Sequence, residues 1–357
     1  MAKKLIKLIK ILITVIIFLI TLIGLFFLSI FTTQQKPEKI EDINIRYAKK
    51  PPYLLTAKPS YTAATWDIGF ATKGVGVDFY FEGGKTSCPP HDSVTQWISG
   101  IENYLTSINA ADFILLQEID RTSKRSYNID QRRVIDSVFL QHARCFANNH
   151  SVLFVPVPLR QPYGQISAGM ETVSTTYPLE SMRYAFEKKG NFLKKPFMED
   201  LCCISNHYRL RNGKSLLIIN VYNAPLSKTA DKQKLTQSIV ALMVTEYEKG
   251  NYVMAGGNWG ITPLAPSDVA FTIFDTTFFH HNNALSEFLP TEWKICFDPK
   301  YPTVRSMSTP YQQDSTPVAV TDFFIVSPNI RILETKTIPL DFKYSSHNPV
   351  QITFQFK

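Results

Sequence analysis

Seven residues of this 357-residue sequence carry groups that could do chemistry together: Asp67, Glu118, Tyr222, Asn223, Asn258, Asp322 and His347. Each stands at the end of a stretch that reads as a β-strand. Carboxylate and amide oxygens are the donors a hard cation takes, and an imidazole among them can move a proton. Taken singly they are ordinary, because a carboxylate at a strand end more often caps a helix or is solvated, and a histidine before Asn-Pro is more often a turn residue. Their shared placement is what points to a site, since the ends of a rigid sheet fix side chains that loops alone would not. One stretch raises a question of its own. In "YVMAGGNWGITP", Tyr252 to Pro263, a strand runs out into a glycine turn that presents only a neutral amide, Asn258, and a bare Gly260.

Alternating strand and helix patterns must hold these residues in place. "YTAATWDIGF" and "ADFILLQEID" read as the strands of Asp67 and Glu118, "GKSLLIINVYNAP" as that of Tyr222, "NYVMAGG" as that leading to Asn258, and "AVTDFFIVS" as that of Asp322. "NPVQITFQF", with Ile352, Phe354 and Phe356 alternating, follows His347. Val94, Trp97, Ile98, Ile101, Leu105 and Ile108 fall at helical spacing, as do Leu235, Ile239, Leu242, Met243 and Tyr247, with Gly250 placed to stop the second helix. Strands separated by helices, with no second break in composition and no repeat, predict one α/β layered domain over residues 59–357.

The start of the chain differs. After Lys10 no charge appears until Lys36, and residues 11–31 are apolar apart from Thr and Ser. At about 1.5 Å per residue such a helix spans roughly the 30 Å core of a bilayer. The run outlasts the roughly 7–15 apolar residues of a secretory signal, and "LSIFTTQQKPE" offers no small-residue cleavage pattern, so it reads as an uncleaved anchor. Lys3, Lys4, Lys7 and Lys10 then place a basic tail, residues 1–10, in the cytoplasm and the C-terminal domain outside it. Residues 32–58, polar and proline-punctuated, read as a tether. Four of the 38 basic residues lie in the tail and no acid does, which leaves 34 basic against 30 acidic side chains, a net +4. That balance is too slight to argue for a nucleic-acid partner. Five cysteines, two of them adjacent, argue against a disulfide framework.

In chain order, "TWDIGF", "LLQEID", "NVYNAP", "GGNWGITP" and "SSHNPV" resemble the blocks of the endonuclease/exonuclease/phosphatase superfamily, the fold of deoxyribonuclease I and neutral sphingomyelinases. The usual blocks are an Asn-containing first strand, L-Q-E, N-x-H, G-D-x-N and a final S-D-H. The resemblance covers nearly all of residues 61–357. It implies a four-layer sandwich of two β-sheets packed face to face with helices on both outer sides. It also implies a Glu that binds a divalent metal, Mg²⁺ or Mn²⁺, with His, Asp and Asn residues that activate water and steady the charge on a phosphate. On that basis Glu118 is the metal ligand with Asp67 beside it, and Asp322 and His347 are retained catalytic residues.

The remaining positions depart from the pattern. Asp67 stands for Asn, Tyr222 for the His of N-x-H, Asn258 and Gly260 for the Asp and Asn of G-D-x-N, and Ser346 for the Asp of S-D-H. The glycine turn thus keeps a catalytic backbone with its side chains exchanged. Without an acid at position 346, His347 is expected to lack the partner that holds its tautomer, and metal binding is expected to be weak or lost. The resemblance then implies a membrane-anchored relative with an eroded site, a weak or non-catalytic binder of a phosphorylated ligand, phospholipid rather than nucleic acid. The rival is an active metal-dependent phosphodiesterase with an altered metal shell; a purely structural membrane protein is the third reading. Two further stretches read as surface: the basic run Arg121–Arg133, weighed against a phosphate-facing loop, and the adjacent pair His280 and His281.

Overall fold

The computed structural model describes residues 2–33, 38–187, 191, 194–223, 229–263, 269–271, 285 and 288–357. Two seven-stranded sheets carry the domain. The first has the order β1 (Ile40–Asp42), β7 (Glu180–Phe186), β8 (Leu201–Arg209), β9 (Ser215–Tyr222), β10 (Tyr252–Asn258), β14 (Asp322–Val326), β11 (Lys294–Cys296). The second runs β15 (Ile330–Thr337), β16 (Val350–Phe356), β3 (Tyr61–Asp67), β4 (Phe113–Asp120), β6 (Gly164–Ser174), β5 (Ala143–Val155), β2 (Ile45–Arg46). A short ribbon, β12 (Val304–Arg305) with β13 (Val318–Ala319), stands apart.

Burial explains the layering. Every residue of β4 is buried, yet its side chains divide: Phe113 and Leu115 join the core between the sheets, and Ile114 and Leu116 join the outer core. In β9, Leu216 and Ile218 face the other sheet while Leu217, Ile219 and Val221 face outward. Strands buried on both faces lose the apolar–polar alternation, which is why "FILL" and "LLII" read as continuous apolar runs. The outer faces are covered by helices. α2 (His91–Ser107) brings Trp97, Ile101 and Leu105, and α3 (Gln131–Val138) brings Ile135, to the second sheet, whereas α4 (Thr229–Glu248) lays Leu235, Ile239 and Met243 on the first. The four-layer sandwich is therefore present as the resemblance implied.

α1 (Ala2–Thr33) precedes the domain and is long and apolar enough to cross a membrane, with a mean hydropathy of 3.2 over its most apolar 18 residues. Within the expected tether, β1 pairs with β7 and β2 with β5, one on each sheet, and Leu55 is buried in the core between the sheets. Arg46 of β2 also reaches the carboxylates of Asp136 and Glu171. The segment is thus knitted to the domain by main-chain pairing and ion pairs.

Candidate functional site

The site is assembled by two distortions of the second sheet. In β4 the register against β6 slips between Leu116 and Ile119, and Glu118 takes a left-handed backbone with φ 54°. A non-glycine residue there costs roughly 1 kcal/mol; a bulge of this kind re-aims a side chain that regular alternation would hold elsewhere. The second distortion follows β3, where Gly69, Phe70 and Ala71 all have positive φ, 61°, 54° and 51°. That turn is tied from several sides. Gly69 N donates to Asp67 Oδ1 at 3.0 Å, Gln131 Nε2 donates to Phe70 O, and the buried Arg305 donates to the carbonyls of Gly74 at 2.8 Å and Val77 at 3.2 Å. Strain so thoroughly braced marks a place where a side chain is held to a purpose.

The side chain it delivers is Lys73. Its Nζ donates to both oxygens of Glu118, at 2.7 and 2.6 Å, and lies over the rings of Phe70 and Phe79 at 5.1 and 5.3 Å. Lys73 is only 4% exposed and Glu118 2%. Burial works against the ammonium, but Glu118 and Asp67 outweigh it and raise its pKa, so it stays charged.

Tyr222, at the end of β9, places its hydroxyl 2.8 Å from Glu118 Oε1 and 2.8 Å from Glu199 Oε2. A phenol has one proton to give, so the second contact needs a proton on a carboxyl. Burial and Asp67 raise the Glu118 carboxyl, and burial and Glu118 raise that of Glu199. Tyr222→Phe removes both contacts and is expected to cost about 1–3 kcal/mol, read as a lowered denaturation midpoint with unchanged m-value.

Against expectation, His347 has an acid partner. Its Nδ1 is 2.8 Å from Asp322 Oδ2, and its carbonyl accepts from Trp66 Nε1 at 2.9 Å. The acid comes from the start of β14, which pairs Asp322 with Asn258 of β10, so the loss of an acid at position 346 does not matter for the tautomer. Burial disfavours the imidazolium, but Asp322 and then Asp67, whose Oδ2 is 3.8 Å from Nε2, lift His347 to about 9. Ser346 instead serves through its backbone, where its carbonyl accepts from Arg305 N at 3.1 Å.

The glycine turn now has a physical reading. Gly257, at φ 146°, lies where a Cβ would come within 1.9 Å of Val221 O, and at Gly260, at φ 60°, one would come within 2.6 Å of Asn223 O. Asn258 donates Nδ2 to Asp67 Oδ2 at 2.9 Å and accepts Gly260 N on Oδ1 at 2.9 Å. Lys232, whose burial lowers its pKa to about 8, donates to Gly260 O at 3.1 Å. The turn therefore orients Asn258 as a hydrogen-bond bridge between itself and Asp67.

No family model matches this chain, and no curated protein matches it. Solved structures do. An endonuclease/exonuclease/phosphatase from Beutenbergia cavernae superposes with a TM-score of 0.57 at 12% identity, covering 84% of this chain and 72% of that one. The fold is that of the endonuclease/exonuclease/phosphatase superfamily. The human Nocturnin catalytic domain with bound sulfate (TM-score 0.53, 12% identity, 86% and 100% covered) and ANGEL2, a 2',3'-cyclic phosphatase (0.51, 11%, 88% and 98%), share it.

The residues present do not fit the divalent ion that the superfamily resemblance implies. Both oxygens of Glu118 hold an ammonium, and each oxygen of Asp67 accepts a hydrogen bond, from Gly69 N and Asn258 Nδ2. Among the described residues no group of three His, Cys, Asp or Glu could hold a metal. Of the pair expected as metal ligands, Glu118 holds the Lys73 ammonium and Asp67 holds Gly69 N and Asn258 Nδ2 instead.

Sequence reasoning brought Asp67, Glu118, Tyr222, Asn258, Asp322 and His347 into one cluster but missed Lys73, Glu199 and Arg305. The available signal for Lys73 was its isolation, since it is the one charged residue between Asp67 and Asp78. The basic stretch Arg121–Arg133 is not uniformly solvated: Arg125 is buried, donates to Asp120 at 2.8 and 3.0 Å, and stacks 3.4 Å from the Phe70 ring centre, which buttresses the Lys73 turn. Arg133 is exposed, as expected of that run. His280 and His281 lie outside the described residues.

Proposed function

We propose that this protein is a membrane-anchored phosphoesterase-fold binder of a phosphorylated ligand, in which the Lys73 ammonium stands where a divalent cation would otherwise serve Glu118. The contact of Nζ with both Glu118 oxygens carries the reading. An internal cation neutralises the carboxylate and closes the position to a metal, and with it the metal's power to lower the pKa of water. The other proton acceptors are spent as well. His347, with a pKa of about 9, is protonated at neutral pH, and the Tyr222 hydroxyl is pushed well above its usual range by burial and by Glu118 and Glu199. Losing proton-transfer help costs on the order of 10²–10⁴ in rate.

An anion still finds donors here, in the His347 imidazolium, Lys73 and Lys232. That one protein of this fold, human Nocturnin, binds a sulfate anion and another, ANGEL2, is a 2',3'-cyclic phosphatase supports an oxyanion as the class of ligand. Glu118, Asp67 and Asp322 balance Lys73 and His347, and Glu82 acts on Lys232, so the ligand gains hydrogen bonds rather than net attraction, and its affinity is expected in the millimolar range. The intact His347–Asp322 pair favours the rival enzyme, since an imidazolium can serve as a general acid.

The deciding experiment uses the full chain in detergent. Hydrolysis of bis-p-nitrophenyl phosphate with Mg²⁺, Mn²⁺ or chelator is expected to equal that of Glu118→Gln, while binding of inorganic phosphate, followed by calorimetry, is lost in His347→Gln. Metal-dependent turnover that disappears in Glu118→Gln decides for the enzyme.

A further inference from the structure

We infer that the tip of the β5–β6 hairpin, residues 153–163, is a bilayer-docking surface that enters the same leaflet as the end of α1; this rests on α1 being a membrane anchor. Leu153, Phe154, Val157 and Leu159 are exposed, Leu159 to 87%. A contiguous exposed apolar patch in a folded domain marks an interaction surface. Pro156, Pro158 and Pro162 within the tip leave it unable to pair as an edge strand with another chain.

The occupant follows from how α1 meets this hairpin. Ile30, 3% exposed, and Thr33 line a cavity of about 210 Å³ together with Ser151 and Val152, whereas the Phe26 ring meets Phe154 edge-on at 6.3 Å. Moving from Ser151 to Phe154 along β5 therefore means moving from Thr33 back toward Phe26 along the anchor. The strand descends beside the helix, toward the side where lipid lies. Phe26 precedes the last helical residue by seven positions, which is about 10 Å of helix at 1.5 Å per residue. With residues 11–31 spanning the hydrocarbon core, Phe26 lies about 7 Å inside its edge, Phe154 is held at that depth, and Leu159 lies five residues further along.

Charge agrees with a lipid surface. No acidic residue occurs between Arg144 and Met170, and Lys124, Arg160, Lys194 and Lys195 are exposed. The Lys124 stem packs on Gly164 at the base of the hairpin, and Lys194 and Lys195 adjoin Phe197, whose ring meets Phe27 of the anchor at 6.4 Å. Lysine and arginine beside an inserted apolar tip reach anionic headgroups while their stems lie on apolar surface. The same end of the sheet carries the site, because Ile119 and Asp120 pair with Gly169 and Ala168, only a few residues from where β6 leaves the hairpin. Docking by the tip thus turns the Glu118 end of β4 toward the headgroups.

The four native tryptophans are buried, so an added one reports its own surroundings. The full chain carrying Leu159→Trp, and separately Leu333→Trp on β15 at the opposite edge of the sheet, is reconstituted into phosphatidylcholine–phosphatidylglycerol vesicles with or without brominated acyl chains. The emission added at 159 is expected to be blue-shifted and cut about twofold by bromine, and that at 333 to be unaffected. A chain that resists alkaline extraction from the vesicles but whose residue 159 behaves like 333 overturns the docking surface alone. A chain that alkaline washing removes overturns the anchor reading and the docking surface with it.

Discussion

Lys73→Ala is expected to lose about 3–5 kcal/mol of folding free energy and, in the same step, to open the Glu118 carboxylate to Mn²⁺ with water completing the ion's shell. The two effects have one origin. In the native chain Glu118 is buried beside Asp67, and its charge is tolerated because an ammonium lies within 2.7 Å of both oxygens. Removing that ammonium leaves a carboxyl that burial and Asp67 already push up, so the variant must either take a proton or find another cation. A divalent ion at 100 times its dissociation constant would return about 2.7 kcal/mol. Chemical denaturation with and without Mn²⁺ reads both effects. The native midpoint should be indifferent to Mn²⁺, that of Lys73→Ala should be low and rise with it, and that of Lys73→Ala/Glu118→Gln should be indifferent again. A native chain whose midpoint rises with Mn²⁺ as steeply as that of Lys73→Ala would show that the lysine yields its place to the metal, and the rival enzyme would then stand.

Much of this architecture was legible because burial imposes pattern. The doubly buried strands "FILL" and "LLII" and the helical spacing of Val94 to Leu105 are written in side-chain polarity, and each lies where the periodicity placed it. The site was legible as a set of strand ends, since strand ends are local. What sequence could not carry was who faces whom across the sheets. The acid for His347 was sought next door at position 346, but a β-sheet supplies neighbours from other strands, here Asp322 of β14. Lys73 was invisible for a related reason: its role depends on three consecutive left-handed residues and a bulge at Glu118, conformations that nothing in "GFATK" or "LQEI" announces. Arg125 shows the same limit, since a basic run looks solvated until Asp120 and the Phe70 ring are known to enclose one of its members.

The stability of the chain should also depend on pH in a way that Asp322→Asn removes. His347 rises from 6.5 to about 9 on folding, which is worth about 3 kcal/mol in favour of the folded state. The sign follows from the direction of the shift. A group that holds its proton more tightly when folded stabilises the fold fully below its unfolded pKa and loses that contribution as pH rises through the folded one. Stability from this source is therefore complete at pH 6 and below, declines from about 6.5, and is spent above about 9. Asp322 is the strongest of the charges that lift the imidazole, ahead of Asp67 and Glu118. Asp322→Asn is accordingly expected to cost about 2 kcal/mol at pH 6 and progressively less toward pH 10, where the native chain has given up the same interaction. The measurement is a set of urea midpoints for both chains across that range, with the His347 imidazole proton followed by NMR. Parallel curves would mean that His347 is neutral in the native state. Converging curves would leave it an imidazolium, a donor to an anion and not a base.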